Sequence, residues 1–137
     1  HGMDTTVITE IADYYRSIGE VVDQRLPFVG SNFNVTRAGI HADGMIKDEE
    51  IYNPFDTTTL LNRAPGVAIT DKSGAAGLLM WMQTHRPAEA AGVDKRDPRI
   101  AHLLELVIRE YEDGRVISLP DEEVGQMVDD VFAVVAV

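Results

Sequence analysis

The stretch from Thr36 to Asp56, TRAGIHADGMIKDEEIYNPFD, holds the residue types best suited to chemistry in this chain. Gly39 and Gly44 bracket His41 and Asp43. Two glycines permit a tight backbone path, so the segment is expected to be a loop that points both side chains outward. An imidazole titrates at about 6.5 when unperturbed and can both take and give a proton. Tyr52 follows eleven residues later, across a turn or short helix able to return it to the side of His41. Such a pair can polarise a carbonyl or shuttle a proton, typically worth roughly 10²- to 10⁴-fold in rate. A bland arrangement fits the same residues: His41 hydrogen-bonded to Asp43 or to backbone, with the Tyr52 ring in the core. Arg37, next to the motif, suits a carboxylate or a phosphate, or equally plain solvent.

The other candidates carry less. His85 and His102 fall in or at the ends of amphipathic helices, where a structural or solvent-facing histidine is the common case. Asp121-Glu122-Glu123 and Asp129-Asp130 lack the alternating oxygen donors and glycine turn of a calcium loop and read as solvated helix faces. Ser73 has no marked base nearby and reads as a helix cap rather than a nucleophile. The sequence contains no cysteine, which removes disulfides, thiolate metal sites and a cysteine nucleophile.

The elements that must position these residues are mostly helical. Between Thr5 and Gln24 the apolar residues Val7, Ile8, Ile11, Tyr14, Tyr15, Ile18, Val21 and Val22 recur at spacings of three and four, one face of an amphipathic helix. Residues from Leu26 to Gly44 hold turn formers without a sustained period and predict an ordered loop. Asp48-Glu49-Glu50 opens a short helix that Pro54 stops, and Asp56 can cap another turn. Val67-Ala68-Ile69 is β-capable, and Thr70, Asp71 or Ser73 can cap a helix running to about His85. Within it Leu78-Leu79-Met80-Trp81-Met82 covers more than one face, which predicts deep burial or a docked partner. A stripe of Ile100, Leu103, Leu104, Val107, Ile108 and Tyr111 predicts a helix ended by Asp113-Gly114. A last helix begins at Pro120-Asp121 and turns Val124, Met127, Val128, Val131 and Phe132 inward, with an apolar tail through Val137 that suits either a strand or a helix end.

The expected fold class is therefore mainly α, at most a small α+β arrangement with a short strand or two. Residues 4–65 and 66–137 are expected to form two small helical subdomains, and His1-Gly2 ahead of Met3 reads as a leftover of expression engineering. The 137 residues suffice for a core but not for a (β/α)₈ barrel, which needs roughly 200 or more. Lys+Arg 12 against Asp+Glu 23 gives a net charge of −11, which argues against nucleic-acid and anionic-membrane partners, whose binding rests on basic patches. No apolar run approaches the roughly 18 residues of a membrane span, and the first residues lack the basic stretch followed by an apolar one of a signal peptide, so a cytoplasmic location is expected.

The run LPFVGSNF followed by TRAGIHADGMIKDEEIYNPFD resembles the segment after the catalytic barrel in the 2-isopropylmalate, homocitrate and citramalate synthase family. That family carries a glycine-isoleucine-histidine-any-aspartate-glycine pattern, here Gly39-Ile40-His41-Ala42-Asp43-Gly44. Val29-Gly30-Ser31-Asn32-Phe33 is similar to its valine-glycine-any-asparagine-any-phenylalanine lead-in, one residue shorter. Tyr52 and Pro54 resemble the tyrosine and proline that follow, and Lys72-Ser73-Gly74 resembles its lysine-any-serine-glycine with the intervening residue missing. The resemblance implies the linker region, or C-terminal domain, of a homodimeric acyltransferase active in amino-acid biosynthesis. There His41 would be the acid/base or carbonyl-polarising residue and Tyr52 its hydrogen-bonding companion, reaching into the partner subunit's active site. Asp43, Gly39, Gly44 and Arg37 would support them, Asp43 by orienting the imidazole or the loop. The implied reaction condenses acetyl-CoA with a 2-oxo acid: pyruvate, 2-oxoisovalerate, 2-oxoglutarate, or oxaloacetate, which would give citrate by the Re-face route. A divalent metal is expected in the barrel, which this sequence lacks together with its His-any-His pair, so no metal or other cofactor is expected here and the fragment alone is expected to be inactive. The rival expectation is a non-catalytic helical module that dimerises or binds a partner through Leu78–Met82 and the apolar tail.

Overall fold

The computed structural model describes residues 2–133. Its elements are α1 (Val7–Ser17), β1 (Val35–Thr36), α2 (Gly39–Lys47), a 3₁₀ turn (Glu49–Ile51), α3 (Thr57–Leu61), β2 (Gly66–Val67), α4 (Gly74–His85), α5 (Pro87–Ala90), α6 (Pro98–Glu112) and α7 (Asp121–Ala133). The chain is mainly α, as its periodicity predicts. The sheet is a single parallel pair in which Val35 lies opposite Gly66 and Thr36 opposite Val67.

Helix α4 is the hub. It packs against α2, α5, α6 and β2, and every residue from Gly77 to Met82 is buried. A helix enclosed on all sides has no polar face to show, which is why Leu78–Met82 reads as an unbroken apolar run. Its burial leaves that segment no surface to offer a partner. Against α4 stand Ile100, Leu103 and Val107 of α6, followed by Val124, Val128 and Phe132 of α7. Leu104, Tyr111, Met127 and Val131 pack at the margin, while Ile108 stays partly exposed. Residues 134–137, most of the apolar tail, lie outside the described residues.

Three local expectations need correction. Helix α1 stops at Ser17 rather than near Gln24, because Gly19 takes a left-handed φ of +87°. The amides of Gly19 and Glu20 then close back on the carbonyls of Arg16 and Tyr15, the pattern of a glycine-terminated helix end. The stripe of α1 is also largely open, with Ala12 its one buried residue and Ile11, Tyr14 and Ile18 more than half exposed. The segment around His41 is not a loop but helix α2. Two glycines weaken a helix, yet Ala42 and Met45 are buried against the α4 side, and this packing outweighs local propensity. Finally, Ser73 does not cap α4 with its side chain. Its Oγ accepts from the Thr70 amide at 2.8 Å and donates to the Ala68 carbonyl at 3.1 Å, bracing the turn before the helix.

Asp56 caps α3 as expected, its Oδ1 accepting from the Thr59 amide at 2.9 Å, and Asp48, expected only as an acidic helix start, caps the 3₁₀ turn by accepting from the Glu50 amide at 3.0 Å. Around residue 65, the expected division between subdomains, the chain is paired rather than loose. The Gly66 and Ala68 amides donate to the Asn34 and Thr36 carbonyls at 3.0 and 2.8 Å, and Ala42 and Met45 share one apolar cluster with Leu78 and Met82. No helix among the described residues is long and apolar enough to cross a membrane.

Candidate active site

His41 sits in the first turn of α2 and Tyr52 closes the 3₁₀ turn that follows Asp48. The Asp48 cap and the bond from the Tyr52 amide to the Glu49 carbonyl, 3.2 Å, fold the chain back on α2. As a result the His41 and Tyr52 rings lie 4.4 Å apart, centroid to centroid, tilted by 34°. Both side chains are exposed, and Tyr52 is not in the core. They flank a cleft of about 160 Å³ whose other walls include Asn34, Thr36, Met45 and Asn53.

The bracketing glycines work by lacking a Cβ, not by unusual dihedrals; neither Gly39 nor Gly44 is among the residues with positive φ. A Cβ on Gly44 would stand 2.3 Å from Tyr52 Cε2, so glycine is what lets the phenol ring lie against α2. A Cβ on Gly39 would stand 2.3 Å from the Ser73 carbonyl oxygen, where α2 meets the turn before α4. The Gly39 amide also donates to the Lys72 carbonyl at 3.0 Å, tying the start of α2 to that turn.

Asp43 is turned elsewhere. Its carboxylate pairs with Lys47 at 2.8 Å and Lys95 at 2.6 Å, and these two ammonium groups hold its pKa down at about 2. Among the described residues both of its side-chain hydrogen bonds come from these lysines and none from His41. Arg37 is exposed and has no carboxylate partner among the described residues; its backbone carbonyl receives Ser73 Oγ at 3.4 Å. His85 stacks on Trp81 at 4.4 Å and places Nδ1 3.0 Å from the Trp81 carbonyl, while His102 is solvent-facing beside Glu105. Asp121 accepts from Trp81 Nε1 at 2.7 Å, Glu123 from Arg115 at 2.6 Å and Asp129 from Arg86 at 3.2 Å, so the acidic faces of α7 are engaged with neighbouring donors.

Sequence reasoning passed over a polar network beneath the pair. Glu49 Oε1 accepts from Asn53 Nδ2 and the Thr57 amide, each at 2.9 Å, and from Thr57 Oγ1. Buried Thr57 in turn accepts from Asn34 Nδ2 at 3.2 Å. Nothing in the residue types announces it: Asn34 sits among turn formers, and Glu49 reads as a helix-start carboxylate. Among the described residues no three His, Asp or Glu side chains converge on one point.

No family model matches the chain. Three curated proteins do resemble it. It is 50% identical over 125 residues to the citrate (Re)-synthase of Syntrophus aciditrophicus, covering 90% of this chain and 20% of that protein. It is 45% identical over 132 residues to the citrate (Re)-synthase of Clostridium kluyveri, covering 95% and 29% respectively. With the 2-phosphinomethylmalate synthase of Streptomyces hygroscopicus it shares 36% identity over 126 residues, 92% of this chain and 28% of the other. The chain thus spans between a fifth and three-tenths of these relatives' lengths. By sequence it is a segment of the family to which citrate (Re)-synthase and 2-phosphinomethylmalate synthase belong.

Proposed function

We propose that this chain is the His/Tyr-bearing segment of a longer synthase that condenses acetyl-CoA with a 2-oxo acid. The observation that carries the reading is the exposed His41–Tyr52 pair, with rings 4.4 Å apart beside an open cleft. The oxo acid is oxaloacetate and the product citrate, because the two citrate (Re)-synthases are nearer in sequence, at 50% and 45%, than the phosphinomethylmalate enzyme at 36%.

In this reading the acetyl methyl group gives up a proton, its carbon attacks the ketone carbon, the ketone oxygen takes up a proton, and water then cleaves the thioester to free CoA. His41 exchanges a proton with, or hydrogen-bonds to, the reacting carbonyl, as an imidazole can near neutral pH. Tyr52, in contact with that ring, restricts its orientation and offers a second donor. Both residues are exposed, which suits a pair that completes an active site on another part of the assembly, in a homodimer the partner's barrel. The divalent ion belongs to that barrel, and the segment alone does not turn over.

The test is release of CoA thiol by the full-length parent with acetyl-CoA, a divalent metal and each of pyruvate, 2-oxoisovalerate, 2-oxoglutarate and oxaloacetate. Oxaloacetate supports turnover, and His41→Ala lowers the rate by roughly 10² or more. Turnover of none of the four, or a His41→Ala variant as fast as wild type, sinks the reading.

A further inference from the structure

The carboxamide of Asn34 is the part of the cleft with no role so far. The residue is 5% exposed, and its Nδ2 donates to Thr57 Oγ1 at 3.2 Å, to the Arg63 carbonyl at 3.2 Å and to the Ala64 carbonyl at 3.0 Å. Two of these partners are backbone carbonyls, which only accept, so the amide cannot be flipped and Oδ1 is the free end. Oδ1 meets no donor among the described residues. It is not sealed off either, since among those residues no buried side-chain nitrogen or oxygen lacks a partner. Asn34 is one of the residues that line the cleft of His41 and Tyr52. An acceptor without a protein donor, on a rigidly held residue that lines a cleft, selects for a hydrogen-bond donor and against an anion.

We propose that Asn34 Oδ1 receives an amide N–H of the ligand and, resting on the synthase reading above, that this N–H belongs to the pantetheine arm of the acyl thioester. The 2-oxo acid is fully ionised at neutral pH and offers only acceptors, which an amide oxygen repels. The thioester group likewise only accepts. The donors closest to the reacting carbon are the secondary amides of the pantetheine arm, the first of them one ethylene unit from the sulfur. The nucleotide end of CoA carries donors too, but it is the end of the molecule farthest from the reacting carbon. An arm anchored at Asn34 brings its thioester to the side of the cleft where His41 and Tyr52 stand, while the oxo acid is held elsewhere.

The test changes the ligand and leaves the protein intact. Pantetheine is titrated into the ¹⁵N-labelled chain while the Asn34 side-chain amide and the His41 and Tyr52 ring signals are followed by NMR. An analogue with ester oxygen in place of the N–H nearest the sulfur is titrated alongside. Pantetheine gives saturable shifts at all three residues, and the ester analogue binds about tenfold more weakly, the scale of one hydrogen bond. Equal affinity of the two compounds, no saturable shift at Asn34, or displacement of pantetheine by oxaloacetate overturns the assignment. Because binding to this chain is read rather than turnover, failure here leaves the His41 test standing. A parent enzyme inactive with every oxo acid would in turn leave a selective pantetheine shift in place.

Discussion

Gly44 sets two effects against each other. As an interior helix residue it costs α2 roughly 1 kcal/mol relative to alanine, yet an alanine Cβ would meet the Tyr52 ring at 2.3 Å. Tyr52 is 44% exposed and ends a short turn, so the ring can swing away while the helix stays. Gly44→Ala is therefore expected to leave the melting temperature unchanged or slightly raised and to abolish the ring-to-ring NOE between His41 and Tyr52. A large fall in stability with the NOE retained would mean the glycine serves the fold and not the pair. Asp43 gives a second residue-level expectation. Its folded pKa of about 2 lies below the ordinary 3.8 because Lys47 and Lys95 favour the charged form. The ion pairs therefore contribute above about pH 4 and are lost as pH falls through 2. A carboxyl-carbon NMR titration should place the Asp43 midpoint near 2; a midpoint near 4 would show the lysines unpaired in solution. Residue types and spacing allowed His41 and Tyr52 to meet but equally allowed the Tyr52 ring to lie in the core, and only the fold brings the rings together. The free oxygen of Asn34 was not legible, since an asparagine among turn formers carries no mark of what its amide nitrogen will bind.

At the scale of elements, α4 and α6 were readable from their apolar residues and α2 was not. Helix α6 buries Ile100, Leu103 and Val107 completely, the three- and four-residue spacing that its sequence displays. Leu103→Ala removes a fully buried side chain next to α4 and is expected to cost about 2–5 kcal/mol, measured by denaturant unfolding followed through Trp81 fluorescence. A cost under 1 kcal/mol would mean that α6 is not held as described. Helix α2 escaped the pattern because its glycines and its polar His41 and Asp43 dilute the period; what makes it helical is Ala42 and Met45 against the α4 side, a tertiary effect invisible from the segment itself. Helix α1 errs in the opposite direction. Its stripe is strongly periodic, but Gly19 ends the helix early and the stripe finds little of this chain to cover it.

At the scale of the whole molecule, one hydrophobic cluster runs from Ala42 in α2 to Phe132 in α7, with α4 at its centre. The candidate site stands at its edge, on the elements between β1 and β2. That parallel pair is only two residues long on each side, and it has a topological consequence. It closes the chain on itself, so that α2, the 3₁₀ turn and α3 form a lasso that carries both His41 and Tyr52, and its knot is the pair of hydrogen bonds from the Gly66 and Ala68 amides to the Asn34 and Thr36 carbonyls. The lasso is fastened a second time where the Gly39 amide meets the Lys72 carbonyl and Ala42 and Met45 enter the common apolar cluster. Within the lasso the two rings meet through short-range contacts, the Asp48 cap and the bond from the Tyr52 amide to the Glu49 carbonyl, so their approach spans eleven residues and not the roughly thirty of the larger loop. A transient untying of the knot should therefore slacken the rim of the lasso and leave the two rings aligned inside it.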